Sequence, residues 1–241
     1  MWCVADLDPE YIARMEDVLA LYEKPYDARE PVVCLDEKPV ALHADVRPPR
    51  PAQPGHLAKR DNEYVRCGTA NIFGVVEPQA GRHLTRATPN RTAGQFALVI
   101  RDLVAAYPAA QTIHLVMDNL NIHCIHCRKS LTDHLGRRAG RALWRRLTVH
   151  HTPKHGSWLN QAEIELSLVA RQCLGTRRLG EFPRLRSETR AWNTRANRRK
   201  TRIRWTFTRK KARAKFGYTA KRSMGFPRFR RHGVYAAFAN S

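Results

Sequence analysis

The sequence predicts an α/β fold, a mixed sheet flanked by helices, with a basic helical C-terminal region. Three observations predict it. Apolar runs of strand length, at 32–35 and 113–117, alternate with stretches of helical periodicity, in the order helix, strands, helix, strand, helix, strand, helix. The chain has 241 residues, 43% of them hydrophobic, enough for one substantial core. From Arg171 to Arg231 the composition then shifts to 22 Lys and Arg, with Glu181 and Glu188 as the acids.

Taken in order, Asp8-Pro9-Glu10 is a helix start, a cap followed by proline at the first helical position. Ile12, Met15, Leu19 and Tyr22 continue it at helical spacing. Val32 to Leu35 reads as a buried strand with Asp36 at its end, although a solvated turn acid is an equal reading of that residue alone. Arg47 to Pro54 is a Pro- and Arg-rich loop. Tyr64 to Glu77 reads as one or two strands, with Gly68 and Gly74 marking a turn or bulge, and Gly81 to Thr88 as a further short strand. Phe96, Val99, Ile100, Leu103, Val104 and Tyr107 form a helical stripe stopped by Pro108. The strand at 112–118 runs into Asp118-Asn119, where an open α/β sheet presents ligand-binding groups. Taken alone, Asp118 reads as a helix cap or turn residue. A basic helical segment from Arg128 to Arg146, a short strand at 147–150 and a helix opening at Ser157 complete the pattern. The last of these carries Trp158, Leu159, Ala162, Leu166, Val169 and Cys173 on one face.

A formal net charge of +22 calls for a polyanionic partner, DNA or RNA before an acidic membrane surface. No apolar run approaches the length of a membrane span, and the first residues lack the basic start and apolar stretch of a signal peptide. Aromatics interleaved with the late basic run, Trp192, Trp205, Phe207, Phe216 and Tyr218, suit a mixture of core packing and a DNA-facing basic surface. The six cysteines are scattered, which fits a reduced, cytoplasmic chain. His123-Cys124-Ile125-His126-Cys127 has metal-like composition, but zinc sites need a second ligand pair, and the one later cysteine is Cys173; Cys124 and Cys127 are expected to hold no metal.

Three acids lie at element ends: Asp36, Asp118 and Glu163, separated by 82 and 45 residues. Phosphodiester cleavage by two metal ions needs carboxylates of this kind, and oxygen-only ligands suit Mg²⁺ or Mn²⁺. The words around them carry more: Asp36-Glu37-Lys38, Asp118-Asn119-Leu120-Asn121-Ile122-His123, and Ser157-Trp158-Leu159-Asn160-Gln161-Ala162-Glu163 preceded by Thr152-Pro153-Lys154-His155-Gly156. In that order they resemble the bacterial mariner-like insertion-sequence transposases with a DDE endonuclease domain, from about Trp2 to Tyr218. The resemblance implies a ribonuclease H-like fold, metal-dependent cutting at element ends and strand transfer into target DNA. It implies Asp36, Asp118 and Glu163 as the ligands of two Mg²⁺ (or Mn²⁺) ions, Asn119 and His123 as active-site neighbours, and Asn160 with Trp158 as groups that position the catalytic helix. Double-stranded DNA is the expected partner, a homodimer the expected active form, and the bacterial nucleoid the expected location.

On this reading residues 1–30 are an N-terminal helix and linker, 31–175 the catalytic domain, 176–222 a basic helical extension and 223–241 an irregular tail. Members of the family carry a helix-turn-helix region ahead of the catalytic part, and the sequence leaves no room for one before Asp36, so a truncated copy or the second half of a split frame is expected. Cys124 to Arg146 is more basic than the resemblance leads one to expect. Helix geometry leaves Glu163 and Glu165 on opposite flanks of one apolar face. Asn160 and Ser167, on the side of Glu163, favour it as the ligand, and Glu165 is expected to face solvent or to pair with an arginine.

Overall fold

The computed structural model describes residues 7–118 and 127–219. Helix α1 (Pro9–Tyr22) starts as expected, with the Asp8 carboxylate accepting the Tyr11 N–H at 2.6 Å. Strands β1 (Val32–Asp45), β2 (Tyr64–Glu77), β3 (Arg82–His83) and β4 (Arg86–Thr88) follow, then α2 (Ala93–Ala105) and β5 (Ile113–Met117). Next come α3 (Cys127–Leu135), α4 (Arg137–Trp144), β6 (Leu147–His151), α5 (Ala162–Val169), α6 (Phe182–Arg199) and α7 (Arg209–Phe216). The sheet order is β3-β2-β1-β5-β6, with β4 also on β2; β1 and β2 are antiparallel, while β5 runs parallel to both β1 and β6. This is the mixed sheet that the alternation of patterns predicts.

Strand periodicity sorts the core into two layers. Val33, Leu35, Phe73, Val75, Ile113, Leu115 and Met117 point to one face and pack with α2 and α3. Cys34, Val76 and Val116 point to the other, where α1, Leu159 and Ala212 of α7 meet them. Leu42, Ala70 and Ile72 continue that second face under α5 and α6. The first helix and the basic C-terminal helices therefore share apolar clusters with the sheet. Trp192 of α6 is buried, and Trp158, Phe207 and Phe216 form a cluster of edge-on and tilted rings.

Four local expectations need correction. Strand β1 does not end at Asp36 but runs on to Asp45, because β2 pairs along it to Tyr64. Its pairing with β5 reaches only Cys34, so Pro39 lies where β1 has one neighbour, a position that tolerates a missing N–H. Of the two glycines in β2, Gly68 marks a bulge: its φ is 94°, and Cys67 and Gly68 together face Leu42. Gly74 instead marks close packing, since a Cβ there would lie 2.7 Å from Leu166 Cγ of α5. The basic segment 128–146 is two helices, broken at Gly136, whose φ is 85°. The helix expected to open at Ser157 is a single 3₁₀ turn (Ser157–Leu159), an extended Asn160, and then α5, which ends in a π-helical turn (Ala170–Leu174).

Helices α3 and α4 touch backbone to backbone at Gly140, where a Cβ would lie 2.6 Å from the Leu131 carbonyl and the Thr132 nitrogen. Backbone cannot swing aside as a side-chain tip can. Gly140→Ala is expected to destabilise the protein by about 1–3 kcal/mol, a fall of several degrees in Tm by thermal unfolding; an unchanged Tm would show that the hairpin is looser than drawn.

Candidate active site

The register of the parallel pair builds the site. Cys34 of β1 lies beside Val116 of β5, and Asp36 and Asp118 each follow two residues further on. Asp36 in turn pairs across the antiparallel ladder with Gly74. Because Gly74 has no side chain, α5 settles directly on it, and the Ala162 carbonyl oxygen comes within 3.5 Å of where a Cβ would stand. Glu163, in the first turn of α5, is thereby carried to the part of the sheet that holds Asp36.

Asn160 holds that helix in place. Its Nδ2 donates to the Leu35 carbonyl at 2.9 Å, and its Oδ1 accepts the Ala162 N–H at 3.1 Å. The side chain thus spans from the residue before Asp36 to the residue before Glu163, and it is 1% exposed. Tyr22 adds a second tie, donating to the Leu159 carbonyl at 2.8 Å.

The electrostatics report how near the acids are. Burial pushes the Asp36 carboxyl up to about 7, and the negative charges of Asp118, Glu163 and Glu37 push the same way against a bond from the Glu37 N–H. Asp118 and Glu163 are therefore within electrostatic reach of Asp36. They do not form a closed cage: among the described residues, no three His, Cys, Asp or Glu side chains stand together at metal-ligating spacing. Glu163 is exposed and Asp118 is half-buried. Asp36, Asp118 and Glu163 would offer oxygen ligands, which suit a hard divalent cation that keeps several of its own waters and takes only a few carboxylates. Asn119, His123 and Cys124 lie outside the described residues.

Glu165 is not where the sequence puts it. It is buried, with one carboxylate oxygen 2.9 Å from His83 Nδ1 and the other accepting the Thr85 hydroxyl at 2.7 Å. His83 Nε2 lies 3.1 Å from the Thr201 carbonyl, and its ring meets Trp192 edge-on. With Asn160 outside the helix, the shared-face argument for Glu163 loses one of its two polar neighbours. The partners of Glu165 are some 80 residues away in sequence, His83 in β3 and Thr85 in the link to β4, and no local pattern around Glu165 points to them.

The sheet order and the helices on its two faces are those of a ribonuclease H-like domain. The model of the DDE superfamily endonuclease family matches residues 31–186, and the chain belongs to that family. Solved structures of Mos1 share the fold. The Mos1 mariner paired end complex with Mn is 15% identical, with a TM-score of 0.52 over 82% of this chain and 60% of that one. The Mos1 transposase paired-end complex with left transposon end is 15% identical, with a TM-score of 0.50 over 83% and 62%. The Mos1 Strand Transfer Complex is 14% identical, with a TM-score of 0.51 over 82% and 60%. The likeness is one of fold, and the chain spans about 60% of the length of those Mos1 chains. No curated protein matches the chain.

Asn160→Ala is expected to cost about 1–3 kcal/mol, the penalty for leaving the buried Leu35 carbonyl without its donor. Urea unfolding measures it. A cost below about 0.5 kcal/mol would show that Asn160 does not tie α5 to β1.

Proposed function

We propose that the chain is the catalytic part of a DDE-type transposase of the bacterial mariner-like insertion-sequence kind, which cleaves DNA at element ends and joins the freed end to a target. What supports this reading is that Asp36 and Asp118 each lie two residues beyond the paired Cys34 and Val116, with α5 seated on Gly74 opposite Asp36, all inside the span matched by the endonuclease family. Asp36, Asp118 and Glu163 would hold two Mg²⁺ or Mn²⁺ ions. Such ions, when bound, activate the attacking oxygen and stabilise the leaving one. The chain's own part is positional: Asp36 is fixed by its strand and by the Glu37 N–H at 2.8 Å, and Glu163 by Asn160 through the helix start. Carboxylates that repel one another favour binding of a divalent cation, because the cation removes the repulsion.

The expected result with a double-stranded oligonucleotide carrying an element end is Mg²⁺-dependent nicking. Asp36→Asn, Asp118→Asn and Glu163→Gln should each lower it by roughly a hundredfold or more, and each should weaken the rise in Tm on adding Mg²⁺. Glu165→Gln should lower Tm, through its contacts with His83 and Thr85, and yet keep the response to Mg²⁺. A chain that binds duplex in EDTA but never nicks it with Mg²⁺ or Mn²⁺ would instead be a non-catalytic nucleic-acid-binding protein.

DNA binding is proposed to rest largely on phosphate contacts, with the basic C-terminal helices contributing, and the active form to be a homodimer. Duplex affinity should then fall steeply with salt and discriminate weakly between an element end and random duplex. A competition assay showing strong preference for the element end would overturn this. No described helix is long and apolar enough to cross a membrane.

A further inference from the structure

The basic excess between Cys124 and Arg146 has no role in the site described above, and the structure shows where its described part lies. Helices α3 and α4 form a hairpin closed by the Gly140 contact, on the α2 side of the sheet. Its inner face supplies Cys127, Leu131, Leu135, Leu143 and Trp144 to the core. Its outer face carries Arg128, Lys129, Arg137, Arg138, Arg141 and Arg145, all exposed. On α4 the four arginines fall within about a 100° arc, at 100° per residue, opposite Leu143. Between the helices is a concavity of about 600 Å³ lined by Arg128, Lys129, Thr132, Asp133, Arg137 and Arg141.

These cations are not used to hold the fold together. Elsewhere arginines are spent on internal ties: Arg178 reaches Asp45 at 2.9 Å and the carbonyls of Asp61 and Glu63, and Arg213 grips Glu16 with two nitrogens at 2.9 and 2.6 Å. Among the described residues no ion pair joins the six hairpin cations to an acid, although Asp133 shares their groove. The hairpin also lies across the sheet from the basic helices α6 and α7, which pack with the second-face clusters. It begins at Cys127, nine residues beyond Asp118 in sequence.

We infer that the outer face of the α3–α4 hairpin is a second phosphate-binding surface, which seats the backbone of a duplex DNA separate from the one held by the C-terminal helices. A reaction that joins two DNA molecules needs two such surfaces, on different sides of one set of acids. An arginine stripe without base-reading placement suits a duplex taken without regard to sequence, which is what a target is. The inference rests on the transposase reading for the choice of DNA as the polyanion.

The test uses the full chain in EDTA, so that cleavage and binding fail separately. Arg137, Arg138, Arg141 and Arg145 are changed together to Gln, a good helix former. The matched control changes Arg14, Arg47, Arg86 and Arg101 to Gln, four arginines already engaged with acids. Binding to a random duplex of about 30 base pairs, long enough for several phosphate contacts, is followed across KCl concentrations, with Tm as the check on folding. The parent should bind two duplexes per chain near 100 mM KCl and the hairpin variant one, and the step lost should carry a log–log salt slope of about 3, as expected for three or four phosphate contacts at about 0.9 each. The control should change much less. Equal losses in both variants would mean that affinity follows net charge and not this surface. A hairpin variant that still binds two duplexes per chain, or tighter binding of the parent to an RNA duplex of the same length, would also overturn the assignment.

Discussion

The hydrogen bond from Asn160 to the Leu35 carbonyl is the point at which the candidate site depends on the fold. β1 loses its β5 neighbour beyond Cys34, so the stretch that carries Asp36 has a ladder on one side only. Asn160 supplies a donor on the α5 side of that stretch, and its other end starts the helix that presents Glu163. A side chain of this length cannot satisfy both groups unless the two backbones are close, and Gly74 provides that closeness by offering no Cβ under Leu166. The asparagine and the glycine are therefore one device: the glycine lets the helix down onto the sheet, and the asparagine sets its register. Replacing either partner would displace the helix start without touching a carboxylate.

The second constraint is electrostatic. A buried acid near other acids is costly, and the shift of Asp36 to about 7 expresses that cost. The protein keeps the arrangement while carrying a formal charge of +22, and yet the basic groups are placed elsewhere, on α6, α7 and the α3–α4 hairpin. Of the cations near the sheet end, Arg91 approaches Glu37 only to 3.9 Å.

The layers of the fold were legible because strand and helix periodicities differ, and β5 is a run of five buried residues that reads only one way. Asp36, Asp118 and Glu163 were singled out by the words around them, not by their spacing. What escaped was set by partners distant in sequence. Nothing local says that β1 continues through Lys38-Pro39, because β2 holds it there. Nothing local distinguishes a continuous helix from a break at Asn160, because the acceptor of its side chain is 125 residues earlier. Glu165 looked like a surface residue because its partners lie some 80 residues earlier, His83 in β3 and Thr85 in the link to β4. The helical wheel treated Glu163 and Glu165 as alternatives for one role, whereas the structure sets them apart: Glu163 is exposed, and Glu165 is buried against His83 of β3 and the Thr85 hydroxyl.

A basic composition likewise says less than it seems about where a polyanion sits. Arg146 spends its guanidinium on the carbonyls of Tyr107 and Ala110, at 2.7 and 2.9 Å, and so closes the end of α2 against β6. Arg178 and Arg213 do similar work for the β1–β2 connection and for α1. Each of these bonds neutralises or occupies a group that a count of Lys and Arg would assign to phosphate. Subtracting them shifts attention away from the richest stretch of sequence and toward α4, a helix of eight residues with three arginines and a fourth at its C-cap. Because Gly140 packs that helix backbone to backbone, the backbone that carries the stripe is fixed against α3.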